Sequence, residues 1–221
     1  RQLDGVMTET FTHVSNTELS IMRLAIDTGY ATQEVYDWVR RQSDRVIAIK
    51  GVERLGAAIG TPSHMDVLTS GKRKRRGLMV WPVGSSFCKS ELYGSLRKDK
   101  PTDEQLQNGE NHPPGFCHFP KYGEEFFKQL TAERLVTVKD KRGFPHREWR
   151  KLRERNEALD CRIYARAAAS ALGIDRFNDT TWQKLERALG RSIQIPADAP
   201  DAQKPTPTTP AVRRVIRSDY L

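Results

Sequence analysis

Three carboxylates stand where they could do chemistry. Asp27 closes the mostly apolar run LSIMRLAID (19–27), and Glu157 and Asp160 open the alanine-rich stretch RNEALDCRIYARAAASALG (155–173). Glu157 and Asp160 are spaced i, i+3, so a helix carries both on one face of its first turn. Two readings of that pair stay open. Acids in a first turn complement the helix dipole, and Asn156 is a suitable N-cap. Carboxylates gathered at one point need cations instead, and hard oxygen donors select Mg²⁺ or Mn²⁺. Two such ions would activate water and stabilise the leaving oxygen in phosphodiester cleavage. Asp27 favours the second reading when the three are taken together, because sites in open α/β sheets lie at the C-terminal ends of parallel strands. Alone, it is a turn former before Gly29.

The elements around these acids follow from apolar periodicity. Residues 19–27 and RVIAIKGV (45–52) read as buried strands, and TQEVYDWVRRQ (32–42) between them as a helix with Thr32 as N-cap. Strand, helix and strand in this span form a βαβ unit, hence a parallel pair. Residues 56–77 read as a loop ending in five basic residues, Lys72, Arg73, Lys74, Arg75 and Arg76, and 78–84 as a third strand. A helix over 85–98 with Phe87, Leu92 and Leu96 in the core, an exposed loop over 99–115, a short strand FCHFP (116–120) and a helix over 123–135 come next. VTVKDKRGFPHREWRKL (136–152) reads as a hairpin turning at Arg142-Gly143, ahead of the acid-bearing helix. DTTWQKLERALG (179–190) is a short amphipathic helix, and from Pro196 onward a proline-rich extended linker leads to AVRRVIRSDYL.

Composition limits the function classes. The 221 residues suit one substantial mixed domain with appendages, and no apolar run reaches the ~18–20 residues of a membrane helix. Cys88, Cys117 and Cys161 are far apart and odd in number, which excludes a disulfide framework or a zinc ribbon and fits a reducing compartment. A formal net charge of +9 points to a polyanionic partner. The run Lys72–Arg76 is either a solvated loop or a contact to the DNA backbone. His112, Cys117 and His118 fit no standard zinc spacing and read as structural, as do His146 and Trp149. Lys50 reads as solvated, Cys161 as a small core residue, and Asp4 as a helix residue with no site role.

The blocks AIDTGYATQEVYDWVRR, VIAIKG, ELYGSLR, CHFP, EEFFKQLTAERLVT and RNEALDCRIYARAA follow one another over roughly residues 20–172. In order and spacing this resembles the nuclease domain of the large terminase subunit of tailed phages, the lambda-like GpA family. The resemblance implies an α/β, RNase H/RuvC-like fold and a two-metal endonuclease that cuts concatemeric double-stranded viral DNA during packaging. It implies catalytic and metal-binding roles for Asp27, Asp160 and Glu157, two Mg²⁺ or Mn²⁺ ions, and DNA contact by Lys72–Arg76. It further implies the small terminase subunit and the procapsid portal as partners, and a host-cytoplasmic setting. Family members carry another catalytic Asp on a first strand in a G-V-D-x-Q-like segment, which this chain begins too late to contain, so the fragment is expected to be weak or inactive alone. The phosphate loop GxxxxGK[ST] is absent from the sequence, so no packaging ATPase is expected in it. The expected division is a nuclease domain over 1–175, a helical extension over 176–195, and a linker with a docking segment over 196–221. A non-catalytic procapsid-docking module or an inactive prophage remnant is the alternative, separated from the nuclease by metal binding.

Overall fold

A computed structural model describes residues 2–13, 15–69 and 72–189. The chain opens with α1 (Gln2–Val6) and a small antiparallel pair, β1 (Thr10–Thr12) and β2 (Glu18–Ser20), turning through Asn16 at a φ of 60°. The central unit is β3 (Leu24–Asp27), α2 (Thr32–Val39) and β4 (Val46–Val52). After it come β5 (Ser63–Thr69), β6 (Lys72–Gly84), α3 (Ser85–Leu96) and the short α4 (Asp103–Gln107). Then follow α5 (Glu124–Leu130), β7 (Glu133–Lys139), β8 (Pro145–Lys151), α6 (Glu157–Ala171), a 3-10 turn (Ile174–Arg176) and α7 (Asp179–Ala188).

The main sheet has the order β3-β4-β6-β5, with β3, β4 and β6 parallel and β5 antiparallel at one edge. β4 is covered on both faces, so its first four residues are all buried. Strand alternation sends Ile47 and Ile49 to one side and Val46 and Ala48 to the other. On the first side they meet Val83, Leu92, Leu130, Leu159 and Ile163, from β6, α3, α5 and α6. On the other they meet Tyr36 and Val39 of α2 with Val67 and Val80. The result is a mixed α/β fold in three layers. Among the described residues no helix is long and apolar enough to cross a membrane.

The expected parallel pair is present, and so is the hairpin turning at Arg142-Gly143, where Gly143 has a φ of 86°. Several expectations need correction. The run 19–27 is not one strand: Leu19 belongs to β2, and only Leu24–Asp27 joins the main sheet. Arg45 holds the link between them by donating from Nε to the Ile21 carbonyl at 2.9 Å. Of the loop expected over 56–77, only 56–62 lies outside the strands among the described residues; β5 and the first half of β6 pair after it, and Lys72–Arg76 lie on a strand. Asp66 makes this possible: its carboxylate accepts from Arg73 Nε at 2.8 Å and from the Arg76 backbone N–H at 3.0 Å, at a bulge between Met65 and Val67.

FCHFP is not a strand either. There Phe116 and His118 pack with His112, ring centroids 4.5–5.0 Å apart, in place of a ladder. The helix expected to run to 135 stops at Leu130, and Glu133 begins β7. Phe87 is exposed and Cys88 takes the core position beside Leu92. Thr32 does not cap α2; its hydroxyl donates to the Thr28 carbonyl at 2.8 Å, and the helix starts after Ala31 at a φ of 46°. Asp4 accepts from Trp38 Nε1 at 2.9 Å and Gln42 Nε2 at 3.0 Å, which ties α1 to α2. The linker and terminal segment expected over 196–221 lie outside the described residues.

Candidate active site

β3 ends at Asp27, level with Ile49 of β4, so its carboxylate leaves the C-terminal end of the parallel strands. The next residue fixes its direction. Thr28 donates to the Ile49 carbonyl twice, from the backbone N–H at 3.0 Å and from the hydroxyl at 2.9 Å. From the other side, the Tyr164 hydroxyl on α6 faces Asp27. Burial, together with the charges of Asp27 and Asp160, pushes the Tyr164 phenol well above its usual range, so it stays a donor.

Asp160 lies in the first turn of α6, one turn before Tyr164, half-buried. Burial raises its carboxyl above the usual carboxylate range. Lys89 and Lys151 oppose that shift, while Glu133 and Asp27 add to it. Asp27 and Asp160 are therefore close enough to repel one another. Gly51, at the end of β4, lets the elements meet: a Cβ there would stand 2.8 Å from Ser85 Oγ and 3.7 Å from the Tyr164 hydroxyl.

A buried polar network lies at the start of α6, beside Asp160. Glu133, 4% exposed, receives Lys89 Nζ at 2.6 Å and Asn156 Nδ2 at 3.0 Å, and Lys151 Nζ donates to Asn156 Oδ1 at 3.0 Å. Tyr93 donates its hydroxyl to the Glu133 carbonyl and packs on Trp149, with ring centroids 5.1 Å apart. Trp149 Nε1 in turn donates to Ser86 Oγ at 3.1 Å. α3, β7, β8 and α6 are thus pinned together at one point. Asn156, expected to cap α6, spends its side chain on this network and makes no cap bond. Gln129 Oε1 accepts from the Ala158 N–H at 3.3 Å instead.

Of the three acids singled out in the sequence, Asp27 and Asp160 lie within electrostatic range of one another, while Glu157 points to solvent. The expected convergence of all three is corrected: among the described residues no group of three or more His, Cys, Asp or Glu is placed to hold a metal ion. Helix geometry explains it. Glu157 lies roughly 160° around α6 from Leu159, which faces the core. Its side chain is 61% exposed, with Arg155 Nε at 3.4 Å.

The basic run Lys72–Arg76 sits five to nine residues before Trp81, which is level with Ile49 and Asp27. At about 3.3 Å per residue that is roughly 15–30 Å away, toward the N-terminal end of the parallel strands. Cys161 is exposed, not a core residue. Lys50 is exposed, and His146 Nε2 stands 3.6 Å from Glu148. Sequence reasoning missed Glu133, Lys89, Lys151 and Tyr164. The available signal was an acid directly after the apolar Leu130-Thr131-Ala132 turn, but reading 123–135 as one helix placed Glu133 on a solvated face.

A family model described as "Terminase large subunit gpA, endonuclease domain" matches residues 1–189. The chain belongs to that family. It is 31% identical over 199 residues to the "Terminase, large subunit" of Escherichia phage lambda, a match covering 87% of this chain and 28% of that protein. It is 31% identical over 174 residues to the "Terminase, large subunit" of Enterobacteria phage P21, covering 76% of this chain and 25% of that protein. The chain spans about a quarter of the length of these relatives. No solved structure matches it. Asp27, Glu133, Asp160 and Tyr164 all fall within the part matched by the gpA endonuclease-domain model.

Proposed function

We propose that this terminase endonuclease domain cuts double-stranded DNA by metal-dependent phosphodiester hydrolysis at Asp27 and Asp160. The observation that carries the reading is that these two half-buried carboxylates, one ending β3 and one opening α6, lie within electrostatic range of one another. The donor set fits a hard divalent ion: both side chains offer only oxygen, and the repulsion between them is what a cation relieves. Mg²⁺ or Mn²⁺ bound there would supply an activated water and neutralise charge at the leaving oxygen. Two carboxylates suffice for one ion; a pair of ions, as in two-metal hydrolysis, needs further oxygen ligands around the same point. Tyr164, facing Asp27 from α6, is placed to orient it. Glu133 holds Lys89 at 2.6 Å, keeping an ammonium beside Asp160.

The parallel strands carrying an acid, with an acid-bearing helix packed against them, support an RNase H/RuvC-like fold. On this reading residues 1–175 form the nuclease domain, 176–195 an extension and 196–221 a linker and docking segment. The substrate is concatemeric DNA in the host cytoplasm, and the small terminase subunit and the portal are the partners. Lys72–Arg76, at the other end of the sheet, contact the DNA backbone away from the cut. Glu157 remains a candidate for the outer rim of the site. The test is cleavage by a full-length large subunit carrying Asp27→Asn or Asp160→Asn, which keeps carboxylate shape and removes charge. Cutting should be nearly abolished in both while DNA binding persists; wild-type cutting by the Asp160→Asn protein would return Glu157 and Asp160 to complementing the helix dipole.

A further inference from the structure

Beside the acid pair lies a cleft of about 710 Å³, between the start of α3, the segment after β4 and the β7–β8 hairpin. That volume lies within the range of ligand-sized pockets, about 300–1,000 Å³, and is too small to enclose a duplex. Its Glu133 and Lys151 both bond Asn156, whose carbonyl accepts the Asp160 backbone N–H at 3.1 Å, so the cleft borders the first turn of α6. Its acids are mostly engaged. Glu133 is bound by Lys89 and Asn156, and Glu148 by Arg150 at 2.6 Å. Asp140 accepts the backbone N–H groups of Arg142 and Phe144 at 2.8 and 2.9 Å. Two of its bases are not: among the described residues Arg54 and Arg147 have no carboxylate partner, and both are exposed. The turn that Asp140 fixes presents Phe144 at the cleft, 66% exposed.

We infer that this cleft takes a single strand of DNA leading away from the acid pair, with Arg54 and Arg147 on its phosphates and Phe144 stacked on an unpaired base. A phenyl ring left in water at the tip of a fixed turn offers a face to any base, whatever its sequence. Duplex DNA hides its base faces, so the ring selects a melted or frayed strand. The inference rests on the nuclease reading for the nature of the ligand, and its test is independent of metal.

The test is fluorescence anisotropy with labelled oligo-dT of about 12 nucleotides and with a duplex of equal length, both in EDTA. Phe144→Ala should weaken oligo-dT binding about tenfold and leave duplex binding within about twofold. Arg54→Ala with Arg147→Ala should lower the slope of log K against log salt for oligo-dT by about 1.4, two single-strand phosphate contacts. All three side chains are exposed, so melting temperatures should match wild type and report intact folding. Unchanged oligo-dT affinity and salt slope in these variants would overturn the cleft assignment, as would an equal loss on duplex for Phe144→Ala. Mn²⁺ titration of the same variants separates the two readings: retained metal binding with unaffected oligo-dT binding removes the cleft and leaves the nuclease site standing.

Discussion

The two ends of one sheet handle charge in opposite ways. At the C-terminal end of the parallel strands, Asp27, Asp160, Glu133 and Lys89 are half-buried or buried, and Glu133 and Lys89 pair across two elements at 2.6 Å. At the N-terminal end, Arg73, Arg75 and Arg76 lie exposed on the β5–β6 ribbon. There a single carboxylate, Asp66, is pulled below the usual carboxylate range by the Arg76 backbone N–H and by Arg73. Buried charges cost desolvation and persist only in fixed geometry, which is what chemistry on a chosen atom needs. Exposed charges are screened and mobile, which suits attraction to a polyanion without regard to sequence.

Mutations at the two ends should therefore fail differently. The largest effect is expected from Glu133→Gln, which leaves the buried Lys89 ammonium without its counter-charge; breaking such a pair costs about 3–5 kcal/mol. Chemical denaturation should show it as a lower midpoint with unchanged slope. Loss of less than about 1 kcal/mol would mean that the network is no firmer than a surface pair. On the ribbon, Arg73→Glu with Arg75→Glu should lower stability only slightly, because the exposed Arg73–Asp66 pair is lost. Duplex affinity should fall, and the salt slope should drop by about 1.8 if both arginines contact phosphates. An unaltered slope would remove the ribbon from the DNA interface.

The smallest effect concerns Asp175, which Arg166 and then Ser170 hold below the usual carboxylate range. A depressed carboxyl contributes stability above its unfolded pKa, and that contribution is lost as pH falls through the lower folded value. Asp175→Asn should therefore cost under about 1 kcal/mol near neutral pH and nothing once the wild-type carboxyl is protonated. Thermal melts across the acid range would show a difference that closes as pH falls; a constant offset would point to packing instead.

The comparison also shows what a sequence discloses. The β3-α2-β4 unit was legible because burial on both faces writes near-continuous apolar runs such as VIAI, and because Asp27 ends one of them. The ribbon was not legible. Five consecutive bases read as solvated chain, and only the cross-strand partner Asp66 with its bulge makes a strand of them. Asp160 was found from its place in a helix's first turn. Glu157 came with it because spacing alone cannot say which way a helix rotates onto a sheet. Glu133 stayed hidden because its burial comes from α3 and α6, distant in sequence, and nothing local marks it. The aromatic cluster around His118 looked like a strand because ring packing and strand pairing favour the same residue types.

On the proposed function, Asp27 and Asp160 form one cation site at the C-terminal end of the sheet. Mn²⁺ binding to the chain, followed by calorimetric titration, tests it without reliance on cutting. The expected result is saturable binding that is lost in Asp27→Asn and in Asp160→Asn, is less affected in Glu157→Gln, and is unchanged in the Arg73→Glu, Arg75→Glu ribbon variant. Wild-type Mn²⁺ affinity in both the Asp27→Asn and Asp160→Asn proteins would contradict the site.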